Sequence, residues 1–261
     1  MEDYLLQRVQ EMEEINSQLD YRISQDTLKL NEVVATNAKF LSLLAHDLRS
    51  PFNEIIGALE ILHDSFEDLD QTQIDNLVHV AINSATKTLT LLDNLLAWTI
   101  SQNKEKNFKP VKINIFTVVS EEIENFSTTA AQKRISIQHS VLPELRSTAD
   151  LQMVKAIFRN LISNAIKYSN LNGEININAT EGDQFVEIEV ADNGIGISQK
   201  TQQKLFKIGE FRSTVGTNNE QGTGMGLIFC KEFVEMHGCT IRCESEPGKG
   251  SKFKFTLPRY I

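Results

Sequence analysis

The feature that most constrains this chain is a heptad repeat of apolar residues that begins at Leu5 and continues to Leu44. Alternate steps of four and three residues place an apolar side chain at nine of twelve seam positions, and the exceptions are Asn16, Asp26 and Asn37. A repeat of this length predicts a parallel coiled coil, and asparagine at an a position fixes register and favours two strands. The alternative is an amphipathic helix that packs on its own domain. We therefore expect a homodimer that associates through its N-terminal helix.

The helical pattern continues past the seam and predicts a helical hairpin. On the heptad phase, His46 falls at position c, which points its imidazole away from the seam. Pro51 lies inside an apolar helical pattern, so we expect a kink there. After a polar turn near residues 64–70, a second amphipathic helix is predicted at about 71–101. Two such hairpins, one from each subunit, would close a four-helix bundle.

Composition changes after the polar run at residues 101–107, and we interpret residues 103–110 as a linker. The remainder, residues 111–261, is predicted to be an α/β domain with a mixed sheet faced by helices on one side. The predicted elements are strands near 111–116 and 135–140, helices near 117–132 and 150–168, a strand pair that turns at Gly182 and Asp183, and strands at Thr240–Glu244 and Lys252–Leu257.

Charge, cysteine content and hydropathy narrow the class of protein. The formal net charge of −9 and the pI near 5.2 argue against a direct nucleic-acid partner, because phosphate backbones reward clustered Lys and Arg. The three cysteines lack metal-ligand spacing, which favours reduced thiols over a disulfide or zinc. No run reaches the roughly 18 apolar residues of a membrane span. We expect a cytoplasmic chain, with the cytosolic portion of a membrane-bound receptor as the alternative.

Two glycine-rich segments are candidates for nucleotide binding. In residues 192–197, Asp-Asn-Gly-Ile-Gly-Ile, the glycines permit close backbone approach and Asp192 can accept a hydrogen bond from an adenine amino group. Residues 222–227, Gly-Thr-Gly-Met-Gly-Leu, open a predicted helix whose first amides attract phosphate. Taken alone, the first is often an ordinary turn. The second lacks both the ending of a P-loop and the strand that precedes a dinucleotide fingerprint.

A third candidate lies on the predicted helix near residues 150–168. Asn160 and Asn164 are four residues apart and Lys167 follows three later, so the three share one helix face. An amide oxygen for Mg²⁺ beside a lysine for phosphate suits a nucleotide site. The alternative is that the asparagines only cap or bridge the backbone.

Taken together, these motifs resemble those of the sensor histidine kinases of two-component systems. The segments that carry the resemblance are residues 40–51 (H box, with His46 and Asp47), 160–169 (N box), 192–197 (G1 box), 204–206 (F box) and 222–227 (G2 box). They stand in the family's order, which makes chance agreement negligible. The first 30 residues resemble, less specifically, the signalling helix that enters such kinases from an upstream sensor domain.

The resemblance implies a division of the chain and a fold class. The expected parts are a coiled-coil signalling helix at 1–30, a dimerisation and histidine-phosphotransfer domain of the HisKA type at 31–102, the linker at 103–110, and a catalytic ATP-binding domain at 111–261. The fold class is therefore multidomain α and α/β. The dimeric hairpins form a four-helix bundle, and an α/β sandwich of the Bergerat, or HATPase_c, type follows.

The resemblance also implies an activity: ATP-dependent autophosphorylation of His46, then phosphoryl transfer to an aspartate in the receiver domain of a response regulator. The catalytic residues would be His46, Asp47 and Ser50, and Asn164 would hold Mg²⁺. The segment between Phe206 and Gly222 would be the ATP lid. The expected ATP-binding residues are Asn160, Asn164, Lys167, Tyr168, Asp192, Gly194, Gly196, Gly222, Thr223, Gly224, Gly226 and Leu227.

Three departures from the family's commoner wording affect these expectations. Ser50 stands where Thr or Asn is usual, which leaves phosphatase activity toward the regulator open. The lid lacks the frequent aromatic-Arg pattern, so Arg212 is a weak candidate for a phosphate contact. His237-Gly238-Cys239 replaces the usual His-Gly-Gly turn, with an expected effect on local packing.

Two other functions compete with the kinase assignment. A chaperone or mismatch-repair ATPase of the same superfamily would lack an H box on a dimeric hairpin, and this chain has one. A signalling scaffold with a degenerate kinase domain would have lost key residues, whereas His46, Asn164 and Asp192 are all intact.

Overall fold

The structure is a computed structural model that describes residues 1–102, 108–207, 214–218, 220 and 224–260. Its contacts divide the chain into two compact units, Met1–Asp47 and Leu48–Ile261, and each is described by itself. Within the described residues, every helix is too short or too polar to cross a membrane.

Two long helices form the N-terminal part. Helix α1 runs without interruption over Glu2–Ser65 and contains Pro51. A short 3-10 turn follows, and helix α2 spans Gln71–Gln102. Asp70 caps α2 reciprocally, because its carboxylate accepts from the Gln73 amide at 2.8 Å while the Gln73 side chain accepts from the Asp70 amide at 2.9 Å. The predicted pair of helices is confirmed, and the kink at Pro51 stays a prediction.

These two helices leave much of their apolar surface exposed. In the N-terminal unit, Leu19 and Ile23 of the predicted seam are 50% and 61% exposed. In the hairpin, Ala58 and Leu91 are buried, and the Ser84 hydroxyl donates to the Glu54 carboxylate at 2.5 Å. Other apolar hairpin residues remain exposed in the single chain: Phe52, Ile56, Leu59, Val78, Ile82, Leu89 and Leu92.

The C-terminal part is an α/β domain with a five-stranded mixed sheet. Its helices are α3 (Ile115–Gln132), α4 (Leu151–Tyr168), α5 (Gln199–Gln202) and α6 (Gly226–Met236). Its strands are β1 (Val111–Asn114), β2 (Ser136–His139), β3 (Arg146–Ala149), β4 (Glu174–Glu181), β5 (Phe185–Asp192), β6 (Ile241–Glu246) and β7 (Gly250–Pro258). The large sheet has the order β2-β4-β5-β7-β6, in which only β2 and β4 pair in parallel. Strands β1 and β3 pair separately as a two-stranded antiparallel sheet.

The core lies between one face of the large sheet and the helices. Alternate residues of the strands are buried, as in Ile175 and Ile177 of β4, because successive side chains of a strand point to opposite faces. Phe158 of α4 packs edge-on against Phe255 of β7, with ring centroids 5.6 Å apart. The other sheet face carries charged pairs such as Lys254 with Glu189. The predicted mixed sheet with helices on one side is confirmed.

Two details of the predicted elements were wrong. The strand expected at 111–116 ends at Asn114, because the Asn114 side chain accepts a hydrogen bond from the Thr117 amide and caps α3. Strand β3 was not predicted. Its Arg-Ser-Thr-Ala sequence shows no apolar alternation, although Ser147 is fully buried and donates to the Pro258 carbonyl at 2.7 Å.

The three cysteine thiols are free. Cys230 and Cys239 are buried, and Cys243 is half-buried. Burial, followed by the nearby charges of Asp192 and Glu244, raises the pKa of Cys243 to about 12. Since the thiolate is the reactive form, this thiol is weakly nucleophilic at neutral pH.

Candidate active site

The residues of the H box lie in α1. The backbone of His46 and Asp47 is helical, and their side chains lie outside the described residues. Ser50, one turn later, is exposed. His46 therefore lies on the helix predicted for it, whereas its role as phosphoacceptor and the direction of its imidazole stay predictions.

Helix α4 carries the second group of predicted site residues, which are Asn160, Asn164, Lys167 and Tyr168. Asp150 caps its first turn, with the carboxylate accepting from the amides of Gln152 and Met153 at 3.0 and 3.2 Å. One side of α4 is buried in the core, while Asn160 and Asn164 are half-buried. The two asparagines therefore lie at the boundary between the core and the solvent.

Asn160 lies against the start of α6. Its side-chain amide donates to the Ala156 carbonyl at 2.9 Å. Its carbonyl oxygen faces Gly226 so closely that a Cβ atom at position 226 would collide with it. The absence of a side chain at Gly226 therefore permits this approach, which brings the N box and the G2 box together.

The last turn of α4 holds Lys167 and Tyr168. Lys167 is buried, and its ammonium lies 4.7 Å from the centroid of the Tyr168 ring. The Tyr168 hydroxyl donates to the Thr214 carbonyl at 3.1 Å. Thr214 belongs to the predicted lid, so the end of α4 already contacts that segment.

Asp192 ends strand β5 and is held by two backbone amides. Its Oδ1 accepts from the Gly194 amide at 2.9 Å and from the Ser251 amide at 3.2 Å. Burial raises the pKa of Asp192, and these two hydrogen bonds only partly offset the effect. The result is a fixed carboxylate whose other oxygen is not used by either amide. Ser251 was not among the predicted residues, because only the pairing of β5 with β7 brings it here.

The G1 loop passes between α4 and the β6–β7 turn. The Ile195 amide donates to the Tyr168 carbonyl at 3.1 Å, and the Gly248 amide donates to the Ile195 carbonyl at 2.7 Å. Gly194 passes so close to the Tyr168 carbonyl that a Cβ atom would collide with it. Gly196 has φ +68°, and a Cβ atom there would collide with the Glu246 carbonyl. The two glycines therefore permit a loop that any larger residue would displace.

The G2 segment leads into α6. Gly222 and Thr223 lie outside the described residues, as does Arg212 of the lid. Gly224 has φ +76°, and α6 begins at Gly226 without a side-chain cap from Met225. The Leu227 side chain is buried in the core, so only its backbone remains for a ligand. The Met225 side chain does not cap the first amides of α6, and amides at the start of a helix suit an anion.

His237 makes several contacts that sequence patterns did not predict. Its Nδ1 lies 2.6 Å from the Phe233 carbonyl, which makes Nδ1 the donor, and its Nε2 accepts from the Asp150 amide at 2.9 Å. The Phe108 ring packs edge-on against the imidazole, and the Lys109 amide donates to Asp150 at 3.1 Å. The end of the linker is thus fixed to the first turn of α4. Burial lowers the pKa of His237, against opposing effects from Phe233 and Asp150.

Two family models match this chain, one in each of its two predicted domains. The model of the His Kinase A (phospho-acceptor) domain matches residues 36–103. The model of the histidine kinase-, DNA gyrase B- and HSP90-like ATPases matches residues 149–261. The chain belongs to the sensor histidine kinases. The phospho-acceptor domain separates it from the chaperone and mismatch-repair alternatives.

Curated relatives support the assignment along most of this histidine kinase. The adaptive-response sensory kinase SasA of Crocosphaera subtropica is 29% identical over 247 residues, which cover 92% of this chain and 64% of the relative. The sensor protein EvgS of Escherichia coli is 30% identical over 239 residues, which cover 88% of this chain and 20% of EvgS. The chain therefore spans less than two thirds of the length of these relatives.

Solved structures of histidine kinases share the fold. A nucleotide-free catalytic domain of the histidine kinase ThkA is 26% identical, with a TM-score of 0.51, and covers 57% of this chain and 97% of its own. ThkA in complex with the response regulator protein TrrA is 22% identical, with a TM-score of 0.62, and the match covers 88% of this chain and 64% of the ThkA chain. The predicted fold class, a helical hairpin followed by an α/β ATP-binding domain, is confirmed.

Proposed function

We propose that this chain phosphorylates His46 with ATP and passes the phosphoryl group to an aspartate in the receiver domain of a response regulator. The observation that carries the proposal is the meeting of the N, G1 and G2 boxes around α4, in a chain whose α1 carries an H box. In this arrangement, Tyr168 contacts the G1 loop and Asn160 contacts the start of α6.

The adenine of ATP would bind at Asp192. Both backbone donors engage Oδ1, which leaves Oδ2 to accept a hydrogen bond from the adenine amino group. The fixed geometry favours recognition, because little side-chain freedom remains to be lost on binding. Gly194 and Gly196 would let the nucleotide approach the backbone.

The phosphates and Mg²⁺ would lie between α4 and the start of α6. Asn164 is half-buried on α4, and its amide oxygen is a ligand type that suits Mg²⁺, which commonly takes one or two protein ligands beside substrate phosphates. The described residues therefore fit a magnesium nucleotide. When bound, the ion would neutralise charge on the phosphates. Lys167, Gly224, Gly226 and the amide of Leu227 would contribute on the protein side, with Gly222 and Thr223 completing the G2 box.

The acceptor chemistry would be performed by two residues of α1. His46 must be neutral at the nitrogen that attacks the terminal phosphoryl group. Asp47 would accept a hydrogen bond from the other ring nitrogen and stabilise the imidazolium that forms. Ser50 is exposed, and its hydroxyl would orient water if the chain also dephosphorylates its regulator.

The proposed active form is a homodimer. Met12, Leu19, Ile23 and Leu30 of the seam are exposed in the single chain, as are apolar residues of the hairpin, and a second copy of these helices would bury them. We also propose that the kinase receives its signal from an upstream sensor domain, that it acts in the cytoplasm, and that its partner is a receiver domain. ThkA, whose complex with a response regulator has been solved, provides the precedent for that partner.

The test is incubation of the full chain with ATP labelled at the terminal phosphate, followed by addition of candidate purified regulators. We expect label on this chain that is acid-labile and base-stable, as a phosphohistidine is, and its subsequent appearance on one regulator. Acid-stable label on the chain would contradict the assignment.

A further inference from the structure

A buried lysine outside the predicted site joins the end of α4 to the lid segment. Lys133 follows the last residue of α3 and is only 6% exposed. Its ammonium donates to the carbonyls of Ile166 at 2.9 Å, Lys167 at 3.0 Å and Ser169 at 3.5 Å. Carbonyls at a helix C-terminus lack intrahelical partners and form the negative end of the helix dipole. A cation is therefore well placed there.

The lid segment supplies the remaining partners of this lysine. The Thr217 hydroxyl accepts from Lys133 at 2.8 Å, and the Glu220 carboxylate pairs with it at 2.5 Å. Partial burial acts to raise the pKa of Glu220, but the hydrogen bonds from Lys133 and from backbone amides outweigh it and hold the pKa below its ordinary value. The buried charge is thus balanced by a residue of the lid.

These contacts fix the backbone of the lid segment against α4. The Thr217 amide donates to the Lys167 carbonyl at 3.1 Å. The Gly216 amide donates to the Glu220 carbonyl, and the Asn218 amide to its carboxylate, both at 2.8 Å. Gly216 lies so close to Lys167 that a Cβ atom would collide with it. The segment therefore rests on a residue that we assign to the nucleotide pocket.

The attachment of the lid segment to Lys133 is reversible, because the lysine has more acceptors within reach than it has donors. An ammonium has three donors, and Lys133 has five acceptors within reach. If Thr217 and Glu220 move away, the carbonyls of Ile166, Lys167 and Ser169 remain within reach of the lysine's three donors. Release then costs the charge pairing but leaves no buried donor without a partner.

We propose that Lys133 is a positioning residue that holds the described part of the lid segment, residues 214–218 and 220, on the end of α4 in the conformation that receives ATP. The lysine does not touch the nucleotide. It acts through Thr217 and Glu220, which lie within the predicted lid and contact Lys133 directly. This inference rests on the proposed ATP-binding function of the same site.

The test compares Glu220→Gln, Thr217→Val, Lys133→Met and Lys133→Arg in the full chain. Glu244→Gln is the matched control, because Glu244 also pairs with a lysine, Lys254 at 2.8 Å, but on the exposed sheet face. Hydrogen exchange of the Gly216 and Asn218 amides is measured without nucleotide. Affinity for a non-hydrolysable ATP analogue, the KM and kcat for autophosphorylation, and the unfolding temperature are measured in parallel.

We expect Glu220→Gln to accelerate exchange of both amides and to weaken analogue binding about tenfold, since a charge-assisted contact is lost. KM should rise more than kcat falls, and the unfolding temperature should stay near the parental value. Lys133→Arg should retain more affinity than Lys133→Met. If Lys133→Met does not fold, the Glu220 and Thr217 variants still decide the question.

Parental exchange and affinity in both Glu220→Gln and Thr217→Val would overturn the proposal. Faster exchange with unchanged affinity would overturn it as well, because the lysine would then hold the segment without affecting nucleotide binding. A parental chain that binds no ATP analogue would refute the proposed function instead. In that case, unaltered amide exchange in the variants would reject the attachment separately.

Discussion

The helical hairpin and the α/β domain solve the problem of burying apolar surface in different ways. In the α/β domain, Phe158, Phe229 and Phe233 are completely buried within one chain. In the helices, Leu19, Ile56 and many similar residues remain exposed. The proposed nucleotide site therefore lies on a core that one chain completes, whereas the exposed apolar residues of the helices need another surface to cover them. We therefore expect that substitutions in the α/β domain can impair nucleotide binding without impairing phosphoryl acceptance, and that substitutions in the helices can do the reverse.

The largest expected effect comes from His46→Gln. We expect autophosphorylation to be abolished while affinity for ATP stays nearly unchanged, because the predicted nucleotide contacts all come from the α/β domain. Label incorporation and calorimetry measure the two quantities. His63→Gln is the matched control, since His63 is an exposed histidine of the same helix. Label that persists in His46→Gln would contradict the assignment of His46 as the phosphoacceptor.

The next largest effect is expected for Asp192→Asn. Loss of the charged acceptor should weaken nucleotide binding by roughly 1.5–3 kcal/mol, which corresponds to about 10- to 150-fold. Asp47→Asn should slow phosphoryl transfer with little loss of affinity. Calorimetry and single-turnover rates separate the two defects. Equal loss of binding in both variants would contradict the roles assigned to these residues.

Asp192→Asn also carries a stability prediction with a defined sign. The folded-state pKa of Asp192 is raised, so folding favours the protonated form and the charged form opposes folding above that pKa. Asn can accept from the Gly194 amide in the same way without bearing a charge. The unfolding temperature of the nucleotide-free variant at neutral pH should therefore equal or exceed that of the parent, and a clear decrease would disagree.

A smaller, severalfold effect is expected from insertions in α1. Seven residues inserted within 20–30 preserve the phase of the heptad, whereas two residues rotate the downstream helix by roughly 200°. If the coiled coil transmits a signal, the first insertion should be tolerated and the second should change the autophosphorylation rate. On the predicted heptad phase, Asp26 at a d position would weaken the seam and bring two packings closer in energy. Dimeric variants with the parental rate would show that the coiled coil only clamps the subunits together.

The smallest effect concerns His237 in the α/β domain. Its folded-state pKa is lowered, so its neutral form stabilises the fold. That contribution is complete above its ordinary value of 6.5 and decreases as the pH falls below it, because the unfolded chain takes up the proton first. His237→Gln should therefore flatten the loss of unfolding temperature between neutral pH and about pH 5. An identical pH profile in the parent and the variant would exclude this role.

Local patterns were sufficient for most elements but not for their junctions. Helix α4 was predicted within one residue of its observed start, and the structure shows that Asp150 caps it directly before an apolar repeat. The turn at Gly182 and Asp183 follows from two alternating segments. Strand β3 was missed because the burial of Ser147 depends on the Pro258 carbonyl, which lies far away in the sequence.

The candidate site shows the same limit. Asp192, Gly194 and Gly196 belong to one short segment, so sequence order alone identified them. Lys133 and Glu220 each have the sequence context of ordinary surface charges. Only the fold brings them together beneath α4, where burial makes their pairing consequential.

The uninterrupted course of α1 determines how a change at the start of the helix can affect His46. At about 1.5 Å per residue, the rise from Glu2 to His46 is about 66 Å. The Debye length at physiological ionic strength is only about 8 Å, so the field of a charge at the start of the helix is screened long before it reaches the histidine. Over that distance the backbone hydrogen bonds of the helix must carry the influence, as torque or axial displacement, and its size should be insensitive to salt.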